Sequence, residues 1–170
     1  MVDLRSGLSA HRQSVTEFLE TAEGLSSADW ERPRAPGKWS PSQIVEHLAL
    51  TYEISRDMLA GRYPDRAAPR LARPFLRTFF LKPTLRRGHF GKPVKTLPPF
   101  EPAEVPAEAQ LHAARLRAAA SAFEGDLEAA AQSGTSTFDH PFFGKTSLTD
   151  YLQFQVIHTN HHRQQLTAAG

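Results

Sequence analysis

The sequence predicts an all-α protein, a four-helix bundle with one long irregular crossover connection. Apolar residues recur at spacings of three and four in four separate stretches, and no stretch alternates apolar with polar residues as a half-buried strand would. The segment 62–103 is broken by eight prolines, which makes it a connection and not a fifth bundle helix. A chain of 170 residues fits one domain, here 1–170, and is long enough to bury one substantial core.

The first helix is predicted from about Leu4 to Gly24, where Leu4, Leu8, Val15, Phe18, Leu19 and Ala22 share a face. Pro33, Pro36 and Gly37 make 26–39 a loop, with Trp30 and Trp39 as its anchors. The second helix opens on Ser40-Pro41-Ser42-Gln43. Ser40 is a good N-cap, Pro41 takes the first helical position where no N–H is needed, and Gln43 can reach back to close a capping box. From there Ile44, His47, Leu48, Thr51, Ile54, Met58 and Leu59 recur at helical spacing towards a stop near Gly61, which turns His47 inward.

In the crossover, short helical pieces are expected around Arg70 to Leu81, while Pro83, Gly88, Gly91 and the Pro98-Pro99 pair imply an irregular crossing. The third helix is alanine-rich and predicted from about Glu104 to Ala131, starting near Pro106, with Leu111, Ala114, Leu116, Ala118, Phe123 and Leu127 available for packing. A second loop, 133–146, leads to Ser147-Leu148-Thr149-Asp150, a capping-box pattern that opens the fourth helix.

That last helix carries the most informative feature. At 100° per residue, Tyr151, Gln155, His158 and His162 fall in one narrow stripe bounded by Leu148 and Leu166. Burying such a polar column costs a few kcal/mol per group unless each finds a partner, and a metal ion supplies one. His158 and His162 lie one turn apart, close enough to converge on a single ion, and His47 on the second helix offers a third nitrogen. Three protein ligands leave coordination positions open for exchange, the pattern of a catalytic centre. His161 is offset towards Phe154 and Ile157 and reads as a packing or ligand-supporting residue, while His11, His89 and His112 read as ordinary structural histidines.

Composition narrows the chemistry. The absence of cysteine excludes disulfides, thiolate ligands and a protein-borne thiol nucleophile, so any metal is held by nitrogen and oxygen. No window approaches the roughly 20 apolar residues of a membrane span, and the N-terminus lacks an apolar signal core, so a cytoplasmic protein without membrane contact is expected. No His-Glu-x-x-His motif occurs, and Glu46 points about 100° away from His47. Between Arg62 and Lys95 ten basic residues face the single acid Asp65, and Arg66, Arg70, Arg73 and Arg77 could form a stripe that holds phosphates or carboxylates. Pro74 interrupts it and no aromatics are placed for base stacking, so a solvated face or subunit contact is the better reading and nucleic acid is not expected.

The run Trp39-Ser40-Pro41-Ser42-Gln43-Ile44-Val45-Glu46-His47-Leu48 resembles the second-helix signature of the DinB-like superfamily. The run His158-Thr159-Asn160-His161-His162-Arg163-Gln164-Gln165-Leu166 resembles its last-helix signature. The resemblance spans nearly the whole chain and implies an up-up-down-down bundle in which His47, His158 and His162 bind a divalent metal, with zinc, nickel, iron, cobalt and manganese all open to a nitrogen-only site. It also implies a homodimer.

Several members of the family resemble thiol S-transferases or thiol-dependent isomerases that use a low-molecular-weight thiol cofactor. The expected activity is therefore metal-dependent transfer of such a thiol to an electrophilic small molecule, with metal-dependent hydrolysis of a small molecule as the alternative. A binding protein working through the basic 62–95 segment is a third class. The stretch His140-Pro141-Phe142-Phe143-Gly144 is similar to a motif of one branch of the family. Pro141 stiffens the turn and Gly144 permits a backbone closed to other residues, so the stretch reads as a loop anchor, with His140 as proton carrier or substrate contact as the sharper alternative.

Overall fold

A computed structural model describes residues 3–62, 67–91, 96–103 and 109–167. Helix α1 (Leu4–Glu23) is capped by Asp3, whose carboxylate accepts from the Ser6 N–H at 2.8 Å, and it buries Leu8, His11, Val15, Phe18, Leu19 and Ala22. The expected loop contains one short turn, α2 (Ser27–Trp30), which carries Trp30 into the core. Helix α3 (Pro41–Leu59) begins with the complete capping box: Ser40 Oγ accepts from Gln43 N at 3.3 Å, and Gln43 Oε1 accepts from Ser40 N at 3.0 Å.

The crossover is more helical than its prolines suggest. α4 (Arg73–Leu76) passes through a π-helical turn (Arg77–Leu81) directly into α5 (Lys82–Arg87), which ends at Gly88 with φ 72°. Pro83 therefore does not end the helix. A π turn widens the backbone just where the proline ring would otherwise strike the carbonyl four residues earlier, and its i→i+5 bonding tolerates the missing N–H. A 3₁₀ turn (Pro98–Phe100) then returns the chain towards the bundle.

α6 (Ala109–Gln132) buries Ala113, Leu116, Ala119, Ala120, Phe123 and Leu127. Leu111, expected to pack, is 63% exposed, and Ala114 and Ala118 also face solvent. Alanine on every side left the inward face ambiguous. The predicted start near Pro106 lies outside the described residues. The predicted 133–146 loop contains an antiparallel hairpin, β1 (Thr137–His140) and β2 (Gly144–Ser147), in which Thr137 pairs with Ser147 and His140 with Gly144. The described residues are thus mostly helical with one two-stranded sheet, not purely α. Ser147 caps α7 (Leu148–Thr167) by accepting from Asp150 N at 3.0 Å.

Helix directions follow from the side-chain pairs. Arg12 meets Glu128 and Arg117 meets Glu23, so α1 and α6 are antiparallel. Arg115 meets Glu53 and Arg56 meets Asp126, so α3 and α6 are parallel. His47 meets His158 and Ser55 meets Tyr151, so α3 and α7 are antiparallel. The order is up-down-down-up, which replaces the up-up-down-down expectation. The physical reason is connection length: short joins link antiparallel neighbours, and the long crossover is what two parallel helices in succession require.

A buried polar chain ties all four bundle helices together. Glu124 Oε1 lies 2.7 Å from His11 Nδ1, His11 Nε2 lies 2.9 Å from the Tyr52 hydroxyl, and that hydroxyl lies 2.6 Å from Thr159 Oγ1. Arg12 reaches Glu124 from outside at 2.7 Å. Burial pushes the Glu124 carboxyl up, but the bonds from His11 and Arg12 outweigh it and leave the group below the usual carboxylate range. Among the described residues no helix is long and apolar enough to cross a membrane.

Candidate metal centre

The capping box of α3 sets the register that turns His47 into the bundle, and the antiparallel approach of α7 brings its histidine stripe opposite. His47 and His162 are buried and His158 is partly buried. Nε2 of His158 lies 3.3 Å from Nε2 of His47 and 3.0 Å from Nε2 of His162, and one nitrogen from each ring falls within 4.8 Å of the others. Nitrogens held at 2.0–2.1 Å from a tetrahedral ion stand about 3.3–3.4 Å apart, and nearer to 3.0 Å around an octahedral one. The three residues named from the sequence therefore meet with a spacing that suits a metal ion.

Neighbouring groups prepare the rings for that task. His47 Nδ1 donates to the Phe100 carbonyl at 2.7 Å, and His162 Nδ1 donates to Gln165 Oε1 at 2.8 Å. Each bond holds the proton on Nδ1 and leaves the Nε2 lone pair aimed inward, the arrangement in which an outer partner orients a metal-binding imidazole. Gln165 is itself fixed, because its amide nitrogen donates to His161 Nε2 at 3.0 Å. His161 accordingly supports a ligand, as its offset on the helix suggested.

His158 exposes the chemistry most clearly. Its Nδ1 is buried with no hydrogen-bond partner, and its Nε2 faces two inward lone pairs. A neutral His158 can donate one proton to one of them, which leaves the other facing a nitrogen at hydrogen-bond distance with nothing to share. A cation at the common point satisfies all three lone pairs. Burial lowers the pKa of all three, strengthened at His158 and His162 by the neighbouring imidazoles and opposed at His47 by its bond to Phe100, so the rings are neutral and ready to ligate near pH 7.

Aromatic rings surround the cluster. Trp39 lies 4.9 Å from the His47 ring, Phe90 of the crossover 6.0 Å from His158, and Phe154 6.1 Å from His158 and 5.7 Å from Phe90. An apolar shell of this kind limits water and sharpens the electrostatics of a bound ion.

The other sequence candidates lie apart from the cluster. Thr51 Oγ1 donates to the His47 carbonyl at 2.8 Å, and Tyr151 and Gln155 both bond Ser55 Oγ, at 2.6 and 3.0 Å. The two Ser55 bonds stitch α3 to α7, whereas the Thr51 bond lies within α3. Glu46 accepts from Ala103 N at 3.0 Å and is not a base for the site. His140 is buried in the hairpin, where its Nδ1 accepts from the N–H groups of Phe142 and Phe143 at 3.1 and 3.3 Å while its ring stacks on Phe143 at 4.5 Å. It anchors the loop. Burial, with the Arg73 charge nearby, pushes its pKa down to about 3. Sequence reasoning missed Phe100 and Gln165 as ring-orienting partners. Gln165, three residues beyond His162, carried a signal, because that spacing lies within hydrogen-bonding reach on a helix.

Comparison with known proteins places the fold. No curated protein sequence gives a significant match. Among solved structures, YfiT from Bacillus subtilis, described as "a probable metal-dependent hydrolase with an unusual four-helix bundle topology", superposes with a TM-score of 0.59 at 16% identity, covering 98% of this chain and 87% of YfiT. At that identity the likeness speaks for the fold. The sequence profile of the DinB superfamily matches residues 10–166, from the first turns of α1 to the end of α7 and across all three histidines, and the chain belongs to that superfamily.

Proposed function

We propose that the protein is a metal-dependent enzyme whose centre is His47, His158 and His162, and that it transfers a low-molecular-weight thiol to an electrophilic small molecule. The supporting observation is the convergence of three neutral imidazoles, two with tautomers fixed by Phe100 and Gln165, inside an aromatic shell. A divalent ion held there supplies Lewis acidity, lowering the pKa of a thiol or of water that reaches it. Because all three ligands are neutral, they leave the ion's charge undiminished. The protein's own part is to bind, orient and exclude bulk water. Trp39, Phe90 and Phe154 form the apolar walls, a setting that favours a soft sulfur nucleophile over a strongly hydrated one. With no cysteine in the chain, the thiol arrives as a separate molecule.

Hydrolysis of a small molecule at the same centre is the second reading, favoured by the description of YfiT. Metal-loaded protein assayed with a small thiol plus an aryl or alkyl halide, and in parallel with activated esters and amides, separates the two. Thiol-dependent turnover lost in the His158→Ala variant supports transfer, whereas turnover of esters or amides without thiol refutes it in favour of hydrolysis. We further propose a homodimer, for which the exposed Leu71, Phe75 and Phe79 of the crossover offer apolar surface. Sedimentation of wild type against a Phe75→Ser/Phe79→Ser variant tests it: a monomeric wild type contradicts the assembly.

A further inference from the structure

A second cleft, of about 320 Å³, lies where the crossover meets the hairpin, and four cationic side chains line it: Arg70, Arg73, Arg77 and Lys145. The single acid there, Asp139, is already engaged by Arg73 at 3.0 Å. Arg73 is further pinned by donating its Nε–H to the Ala68 carbonyl at 3.1 Å, and Arg77 by donating to the Lys145 carbonyl at 2.6 Å. Each guanidinium carries about five N–H donors, so most of those on both residues have no acceptor among the described residues. One of them, the Nε–H of Arg77, is fully buried and unpartnered.

A buried donor without an acceptor costs about 1–3 kcal/mol, and a cluster of like charges adds to that cost. An oxyanion in the cleft offsets the repulsion among these cations: planar, pre-positioned guanidiniums match its geometry, and the excess positive charge matches a dianion better than a monoanion. Arg70 and Lys145 are exposed and make no ion pair among the described residues, so they are available to close on a ligand. We propose that this cleft binds a phosphate-class dianion, a phosphate monoester or inorganic phosphate. The site is distinct from the metal centre. Phe143 in its wall lies 5.8 Å from Phe154, which in turn stacks on His158 at 6.1 Å, so two aromatic rings stand between the cleft and the histidines.

The test uses the full chain with inorganic phosphate as probe, followed by ³¹P line broadening and by the shift in melting temperature against sodium chloride of equal ionic strength. Phosphate is expected to broaden and to raise the melting temperature where chloride does not. The Arg70→Gln/Lys145→Gln variant, which removes two exposed side chains without structural partners, is expected to weaken binding at least about tenfold, and Arg77→Met to abolish it. Equal shifts with chloride, or unchanged phosphate binding in the Arg70→Gln/Lys145→Gln variant, overturn the proposal. Cosedimentation with phosphatidylcholine vesicles, with and without phosphatidate, identifies the source of the phosphate. Binding to phosphatidate that free phosphate competes away assigns the site to a lipid headgroup, and phosphate binding without vesicle binding assigns it to a soluble ligand.

Discussion

Gln165 offers the sharpest test of how the metal centre is tuned. Its Oε1 accepts from His162 Nδ1 at 2.8 Å, which fixes the tautomer with the lone pair on Nε2. Gln165→Leu keeps the size of the side chain and removes that acceptor, so His162 becomes free to place its proton on either nitrogen and to rotate. Loss of an outer partner of a metal-binding histidine typically costs about 10- to 100-fold in metal affinity, or roughly 1.4–2.7 kcal/mol. Gln165→Glu has the opposite sign, because a carboxylate draws the Nδ1 proton more strongly and raises the basicity of Nε2, and His161 can shift its own proton to face the new oxygen. The assay is competition with a chromophoric chelator at constant pH, with circular dichroism confirming equal helicity in all three proteins. If the Leu variant binds within twofold of wild type, or the Glu variant binds more weakly than the Leu variant, the outer-partner reasoning is wrong.

Two further predictions concern stability. His140 has its pKa pushed down to about 3, so the unfolded chain binds a proton that the folded chain refuses. Its contribution is therefore intact above the ordinary histidine pKa and is lost as pH falls below it, amounting to about 2 kcal/mol by pH 5. His140→Asn keeps an acceptor for the Phe142 and Phe143 N–H groups without titrating, so its urea midpoint should fall less than that of wild type between pH 8 and pH 5. Parallel pH profiles would refute the assignment. Tyr52→Phe removes the hydroxyl that joins His11 to Thr159, leaving two buried polar atoms short of a partner, and is expected to cost about 2–5 kcal/mol in chemical denaturation. A loss under about 0.5 kcal/mol would show that the chain across the four helices is not structural.

Features that depend on local chemistry were legible in the sequence. The Ser40–Gln43 capping box, the Ser147 cap and the inward stripe of Tyr151, Gln155, His158 and His162 all appear in the structure as the residue pattern predicted. Features set by partners distant along the chain were not. His11 looked ordinary because Glu124 and Tyr52, which satisfy it, come from other helices, and Phe100 reaches His47 from the far end of the crossover. The hairpin escaped notice because strands of four residues are too short for alternation to show, although the loop-anchoring role read for His140–Gly144 matches the backbone N–H groups that His140 holds. The direction of each helix is a property of packing, which the resemblance misjudged and the ion pairs between helices corrected.

The central claim is that His47, His158 and His162 hold one divalent ion between them. The most direct measurement is the metal content per chain, by elemental analysis, of protein stripped with chelator, incubated with a mixture of zinc, nickel, iron, cobalt and manganese, and freed of loosely bound ions. One tightly bound ion per chain in wild type, absent from the His158→Ala variant and retained in a His89→Ala control, is the predicted result. A wild type that retains no ion, or a His158→Ala variant that retains as much as wild type, contradicts it.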